Sequence, residues 1–378
     1  MPDNGSNNFA SGAGANATGD AGNSIALGTS ANASGSSAAN PSANIAFGVS
    51  ANASGAGSVN IATGVSANAA GANSVNIATG QLANSSGNNG SNIASGFQAN
   101  ASGAASANIA TGNGANASGA TSANIATGFG TNASGAGSNN IATGNQANAA
   151  GAASFNIATG TGANASGSGS VNVALGMNAN ASGNGVANVA IGGGSNATGG
   201  NATALGSGAS ATFANSAAFG TGAVATRANQ QTFGTALNTY TMAGITSAAS
   251  AAAQSGPLQI VTSDAGGNLA TNTPAGLGLA TTSQISAINS QLVSLSNQLG
   301  EVRRGIAATA AIAYAATPSA PGRTTFAVNG SVYDTTAGFG VSVTHRMAGT
   351  TIPVYFSGSY GTGGGREQVG RVGFAWEW

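Results

Sequence analysis

Ser58-Val59-Asn60-Ile61-Ala62-Thr63-Gly64-Val65-Ser66-Ala67-Asn68-Ala69-Ala70-Gly71 is the stretch that decides the fold. After Ala72 and Asn73 it begins again at Ser74-Val75-Asn76-Ile77-Ala78-Thr79-Gly80. Gly recurs every sixteen residues from Gly48 to Gly192, and a second Gly series runs in step from Gly55 to Gly199. Asn falls every eight residues from Asn44 to Asn196. Self-similarity at a fixed period marks a repeat architecture, in which each unit stacks on the next. In Asn60-Ile61-Ala62-Thr63, Ile61 and Thr63 share one face of an extended segment and Asn60 and Ala62 the other. Two Gly per unit and β-branched residues at fixed places make a poor helix and a good strand-plus-turn.

The expected structure is therefore a parallel β-solenoid with one unit per coil. About fourteen coils stacked at ~4.8 Å give a rod on the order of 65 Å long. Stacked Asn amides can form hydrogen-bonded ladders, and Asn60, Asn76, Asn92, Asn108, Asn124, Asn140 and Asn156 are the expected head ladder. Ordering sixteen backbones costs roughly 16–32 kcal/mol per coil. One buried Ile returns about 1.5–3 kcal/mol. A slim single rod is thus marginal, and burial of a second face against identical chains is expected. Asn-X-Ser/Thr recurs from Asn16 to Asn201, but a repeat containing Asn-Ala-Ser generates these matches automatically.

Composition narrows the function. The 378 residues include 63 Gly, no Cys and one His, and only 4% are charged. All seven basic residues are Arg, and no charge lies between Ala21 and Thr226. Thiolate and zinc–cysteine chemistry are excluded, nucleic-acid binding lacks its basic surface, and acid–base catalysis lacks its groups. No enzyme and no cofactor or metal site is expected. His345, beside Arg346 near a strand end, reads as an interfacial or turn residue.

The C-terminal third differs. Ile285, Ile288, Leu292, Leu295, Leu299, Val302 and Ile306 keep a 3-4-3-4 spacing, the seam of a coiled coil, here with mixed Ile and Leu that favour more than two strands. Beyond Ile306 the sequence turns Ala-rich to Ala316, as in a helix threaded through a narrow space, and Pro318 and Pro321 end it. Arg323–Tyr333, Ala337–Arg346, Ile352–Tyr360 and Gln368–Trp378 then read as four strands. One face gathers Phe326, Phe339, Phe356, Phe374, Trp376 and Trp378, and the other gathers small or polar residues, including Gly340 and Gly373. Length and alternation match outer-membrane strands. Four strands cannot close a barrel. Three chains give twelve, with a lumen for three Ala-rich helices. Arg303 and Arg304 are expected at the barrel mouth or lumen, contacting a carboxylate such as Glu377 or lipid phosphates.

At this point the chain resembles the YadA-like trimeric autotransporter adhesins of Gram-negative bacteria. Asn23-Ser24-Ile25-Ala26-Leu27-Gly28 and Asn201-Ala202-Thr203-Ala204-Leu205-Gly206 look like head repeats. Ala228-Asn229-Gln230-Gln231-Thr232-Phe233-Gly234 looks like the start of a neck, and Gly305–Ala316 with four strands ending at Trp378 looks like the membrane anchor. The resemblance implies a mainly β fold: a trimeric left-handed β-roll head, a short trimeric coiled coil and a 12-stranded trimeric transmembrane barrel. The expected division is 1–234 head repeats, 235–281 connector (with a small hairpin), 282–316 stalk and lumen helix, and 317–378 outer-membrane anchor. It also implies self-export, display on the cell surface, and attachment to host or abiotic surfaces or self-aggregation. The implied partners are the chain itself, outer-membrane lipid, the barrel-insertion machinery reading Trp378, and a host or surface ligand. Three features depart from the family: sixteen-residue units where fourteen is usual, a short stalk, and a start (Met1-Pro2-Asp3-Asn4-Gly5) without the basic region or apolar core of a signal peptide. The competing reading is an ice-binding or other structural solenoid, based on the column Thr63, Thr79, Thr111, Thr127, Thr143 and Thr159.

Overall fold

A computed structural model describes residues 7–35, 37–312 and 315–378. The reading of Met1–Gly5 and the segment 313–314 of the expected lumen helix lie outside the described residues. The chain divides into two compact units, Met1–Thr241 and Met242–Trp378, and the boundary falls within the 235–281 connector.

The first unit is a parallel β-solenoid. Among the described residues, fifteen short strands from Phe9–Ser11 to Gln231–Phe233 stack in chain order into one parallel sheet. Each pairs with its own copy in the next coil, so that Ile61 lies on Ile77 and Ala62 on Ala78. A second limb of each coil is stitched by parallel bridges, Asn52 to Asn68 to Asn84 and onward. Gly64 and Ala67 close the turn between the limbs by a backbone bond of 3.2 Å.

The interior departs from the expectation of one buried Ile per coil. Asn60, Ala62, Ala67 and Ala69 are fully buried and Ser74 nearly so, while Ile61 and Thr63 point outward and are only half-buried. Every member of the buried hydrophobic cluster is Ala. The interior is narrow: Ala fills it in nearly every coil, and Thr131, at the position of Ala67, is its one fully buried β-branched side chain among the described residues. What spans the gap is Asn. Asn60 Nδ2 donates across the interior to the Gly71 carbonyl at 2.8 Å. Its Oδ1 accepts from the Asn76 backbone N–H at 3.0 Å and from Ser74 Oγ at 3.0 Å. Each buried amide is thus a cross-strut that also ties one coil to the next, and its polar atoms are satisfied, as deep burial requires.

The predicted amide-to-amide ladder exists in the other Asn column. Asn52 Nδ2 donates to Asn68 Oδ1 at 3.2 Å, and Asn68 Nδ2 to Asn84 Oδ1 at 3.3 Å. The residues from Asn60 to Asn156 bond instead to backbone and Ser. The Asn-Ala-Ser repeats are explained locally: Asn52 Oδ1 accepts both the Ser54 N–H at 3.2 Å and Ser54 Oγ at 2.8 Å. These amides are engaged in the fold.

Two columns of glycine let the coils close on each other. At Gly64, φ is +134°, and a Cβ would lie 2.6 Å from the Gly80 carbonyl oxygen. Elsewhere the turns accept strain. Thr121 is β-branched and sits at φ +56°, a conformation that costs an L-residue roughly 1–2 kcal/mol.

The second unit opens with helix α1 (Ala248–Ala253), then the expected hairpin, β1 (Ile260–Ser263) antiparallel to β2 (Leu269–Asn272). Helix α2 (Thr282–Ala311) starts at a capping box in which Thr281 and Gln284 bond reciprocally. It carries the whole Ile285–Ile306 seam. It ends before the expected Ala316: Ile312 is the C-cap, and Ala315 and Ala316 are not helical. Four strands follow, β3 (Thr324–Tyr333), β4 (Thr336–Arg346), β5 (Val354–Gly363) and β6 (Glu367–Trp376), in one antiparallel sheet of that order. The third strand thus runs on through Gly361 to Gly363, beyond the expected end at Tyr360.

Two measurements check this account. In urea unfolding, Asn108→Ala is expected to cost about 1–3 kcal/mol, because it strands the Asn124 N–H and leaves Ser122 Oγ and the Gly119 carbonyl bonded only to each other. An equal or smaller loss than for the half-buried Asn116→Ala would contradict the strut. In thermal melts followed by circular dichroism, Gly64→Ala should lower the solenoid transition and Thr121→Gly should raise it, by about 1–2 kcal/mol in the second case.

Candidate membrane anchor and self-association surfaces

The four-stranded sheet has two unlike faces. Register places Phe326 against Val343, Val328 against Val341, Phe356 against Phe374 and Val354 against Trp376. These side chains stand on the face away from α2, and Phe326 is 67% and Val372 79% exposed. Phe339, Phe356, Phe374 and Trp376 share that exposed face, and Trp378 lies just past its end. Phe374 and Trp376 form a tilted ring pair at 6.1 Å.

The opposite face is a groove made of missing side chains. Register sets Gly338 beside Gly363 and Gly340 beside Gly361. A Cβ on Gly338 would strike the Ala307 carbonyl, on Gly340 the Ala311 carbonyl, on Gly361 the Ala308 carbonyl, and on Gly363 the Arg304 carbonyl. The backbone of α2 therefore lies directly on the sheet, and Ala307, Ala308 and Ala311 are fully buried there. Ser331 Oγ donates to the Ala307 carbonyl, and Thr344 Oγ1 to the Ala315 carbonyl at 3.3 Å. Of the two expected lumen glycines, Gly340 meets the helix. Gly373 does not: its Cβ would meet Ser357 Oγ on the neighbouring strand. Gly338, Gly361 and Gly363 escaped the sequence reading, although the Gly-X-Gly spacing at 338–340 and 361–363 was its available signal.

Charged groups collect at the two ends of the sheet, apart from Arg371, which lies opposite Ser359 in mid-strand and lines a small cavity with Ile312 and Ala315. Arg303 pairs with Asp334 in the β3–β4 turn at 2.8 Å, and Arg304 with Glu367 at the start of β6 at 3.4 Å. Neither reaches Glu377, the expected carboxylate. Glu377 lies at the other end, where it accepts from the Tyr355 hydroxyl at 3.1 Å, with Arg346 stacked over the Tyr355 ring at 5.8 Å. His345 Nδ1 sits 2.9 Å from Thr324 Oγ1.

Two further apolar surfaces have no partner within the chain's described residues. One is the α2 seam, in which Ile285, Ile288, Leu292, Leu295, Leu299 and Val302 are all exposed and Ile306 is 39% exposed. The other is the outward side of the long solenoid sheet. Four columns run along it, starting in one coil with Val59, Ile61, Thr63 and Val65; the Ile61 column stays Ile or Val from Ile45 to Val189, whereas the Val59 column mixes Val75, Phe155 and Val171 with Ser91 and Asn139, and the Val65 column mixes Phe97 and Phe129 with Gln81, Asn113 and Asn145. The Thr column shares this side with the Ile column. Among the described residues no three His, Cys, Asp or Glu side chains gather as a metal site would require, and no helix is long and apolar enough to cross a membrane. No family model matches the chain, and no curated protein matches it.

Replacing Gly340 by Val tests the groove. In thermal melts of the full chain, Gly340→Val is expected to lower the transition of the C-terminal unit, while Gly330→Val, whose Cβ would meet nothing nearer than 3.9 Å, should leave it nearly unchanged. Equal effects of the two substitutions would show that the helix does not need the glycine channel.

Proposed function

We propose that the chain is a trimeric autotransporter adhesin of the YadA-like kind, in which three copies close a twelve-stranded outer-membrane barrel, thread their helices through it and display the solenoid at the cell surface. The observation that carries this reading is the pair of unlike faces on a four-stranded sheet that ends in two unpaired edges. An exposed apolar face on a small soluble unit is a liability, and open edges on a flat sheet invite pairing with another strand. Closure with copies of itself, inside lipid, removes both problems. Strands of ten or eleven residues are the length a tilted membrane strand needs. Charged side chains at the two ends, with an apolar belt of Phe, Val and Trp between them, fit a hydrocarbon layer roughly 25 Å thick.

The same closure explains the other exposed surfaces. Three α2 helices meeting along Ile285–Ile306 bury the seam as a short coiled coil, and three solenoids meeting along their Ile and Val columns bury the marginal rod's second apolar side. Topology sets the rest. The chain enters the sheet after the helix and ends on the side where the sheet began, so the segment before the helix lies across the membrane. What remains outward on the rod is a lattice of Asn, Ser, Ala and Gly, a neutral hydrogen-bonding surface for contact with host, abiotic material or a neighbouring cell.

Expression of the full chain behind an export signal in a Gram-negative host is the test. The expected result is a detergent- and heat-resistant band of three chains in the outer-membrane fraction, with the solenoid open to protease added outside intact cells. A monomer, or a product retained in the periplasm, would reject the proposal. The ice-binding alternative draws on the outward Thr column, and absence of thermal hysteresis in the purified chain would remove it.

A further inference from the structure

Most coils of the solenoid repeat the same solutions, which makes the exceptions informative. Three of them fall in one coil, between Ile77 and Asn92. Leu82 occupies the turn position two residues after the strand glycine with φ +61°; other coils place Gly there (Gly114, Gly130, Gly162) or a polar residue (Ser66, Gln98, Gln146, Asn178), and Leu82 is the one branched apolar side chain in that column. Ser85 replaces the Ala of the second limb found at Ala69, Ala101 and Ala117. It is fully buried, and its hydroxyl has no hydrogen-bond partner. Gly90 replaces the Ser that caps the buried strut in most coils, a position taken by Val186 near the end of the sixteen-residue repeats. In the neighbouring coils Ser74 and Ser106 donate to Asn60 and Asn92 at 3.0 and 2.9 Å. Asn76 Oδ1 keeps only the Asn92 backbone N–H, and at 3.2 Å.

Each exception has a separate physical cost: a left-handed backbone at a branched side chain, a buried hydroxyl without a partner, and a lost hydrogen bond to a buried amide. Ser170 is a second unpartnered hydroxyl, but the turn positions of its coil are held by Gly162 and Gly169. In a stacked array each coil is held only by its neighbours, so local stability follows the sum of local terms. Three unfavourable terms in one coil lower it relative to the coils on both sides.

We propose that the coil Ile77–Asn92 is a built-in break point, where the solenoid opens first and which divides the rod into two cooperative segments. Opening there exposes backbone to exchange and to proteases while the coils on either side stay folded. This property belongs to the solenoid itself, and it stands or falls separately from the anchor and its trimer.

Hydrogen exchange on the purified full chain, read by mass spectrometry, tests it. Amides of residues 82–92 are expected to exchange roughly tenfold faster than those of residues 114–124 or more. The triple variant Leu82→Gly, Ser85→Ala, Gly90→Ser should bring 82–92 to the level of its neighbours. The converse variant Gly114→Leu, Ala117→Ser, Ser122→Gly should create a second fast segment at 114–122. Uniform protection along the parent rod would overturn the proposal. So would a triple variant whose 82–92 segment still exchanges fast.

Discussion

Two chain limbs held too close for anything larger than an amide set the terms for the N-terminal unit. No Ile or Val is buried there; the apolar interior is Ala, with Thr131 at one Ala position, and Ala burial alone cannot hold a coil together. The Asn strut resolves this. One side chain bridges the limbs, accepts the next coil's N–H and takes a Ser hydroxyl, so the interior is held by directional bonds rather than by volume. Apolar side chains displaced from the inside appear on the outside, in the partly exposed column of Ile61 and its copies.

The C-terminal unit meets a related constraint by the opposite means. There the close approach is between a helix backbone and a sheet, and it is achieved by deleting side chains from the sheet. Gly338, Gly340, Gly361 and Gly363 on one side and Ala307, Ala308 and Ala311 on the other leave carbonyls resting where Cβ atoms would be. The Ser331 hydroxyl then bonds the Ala307 carbonyl, and the Thr344 hydroxyl bonds that of Ala315 just beyond the helix. In both units small residues mark where backbone meets backbone.

Periodicity made the architecture of the solenoid legible, since Gly, Asn and Ile at fixed spacing leave few alternatives. Alternation likewise exposed the four strands and the composition of their two faces. What periodicity could not give was direction. Ile61 and Asn60 alternate equally well with either one inward, and only the width of the coil decides. The assumption that the apolar residue lies inside failed for that reason. The ion pairs failed for another: Arg303 and Arg304 have several carboxylates within reach of a chain this short, and the choice of Asp334 and Glu367 over Glu377 depends on which end of the sheet the helix crosses. The helix end at Ala311 was hidden because Ala-rich sequence carries no stop signal before Pro318.

The uncharged stretch from Ala21 to Thr226 has a consequence for the conditions under which the rod can work. Its struts, ladders and turns are built from amides, hydroxyls and backbone, none of which titrates between strong acid and strong base, and none of which is screened by dissolved ions as a salt bridge is. Acidification or a change from fresh to saline water leaves every bond in those coils in the same state. A solenoid made this way gives up the long-range attraction that charge provides. In exchange, its shape does not depend on the ionic composition of the water around it.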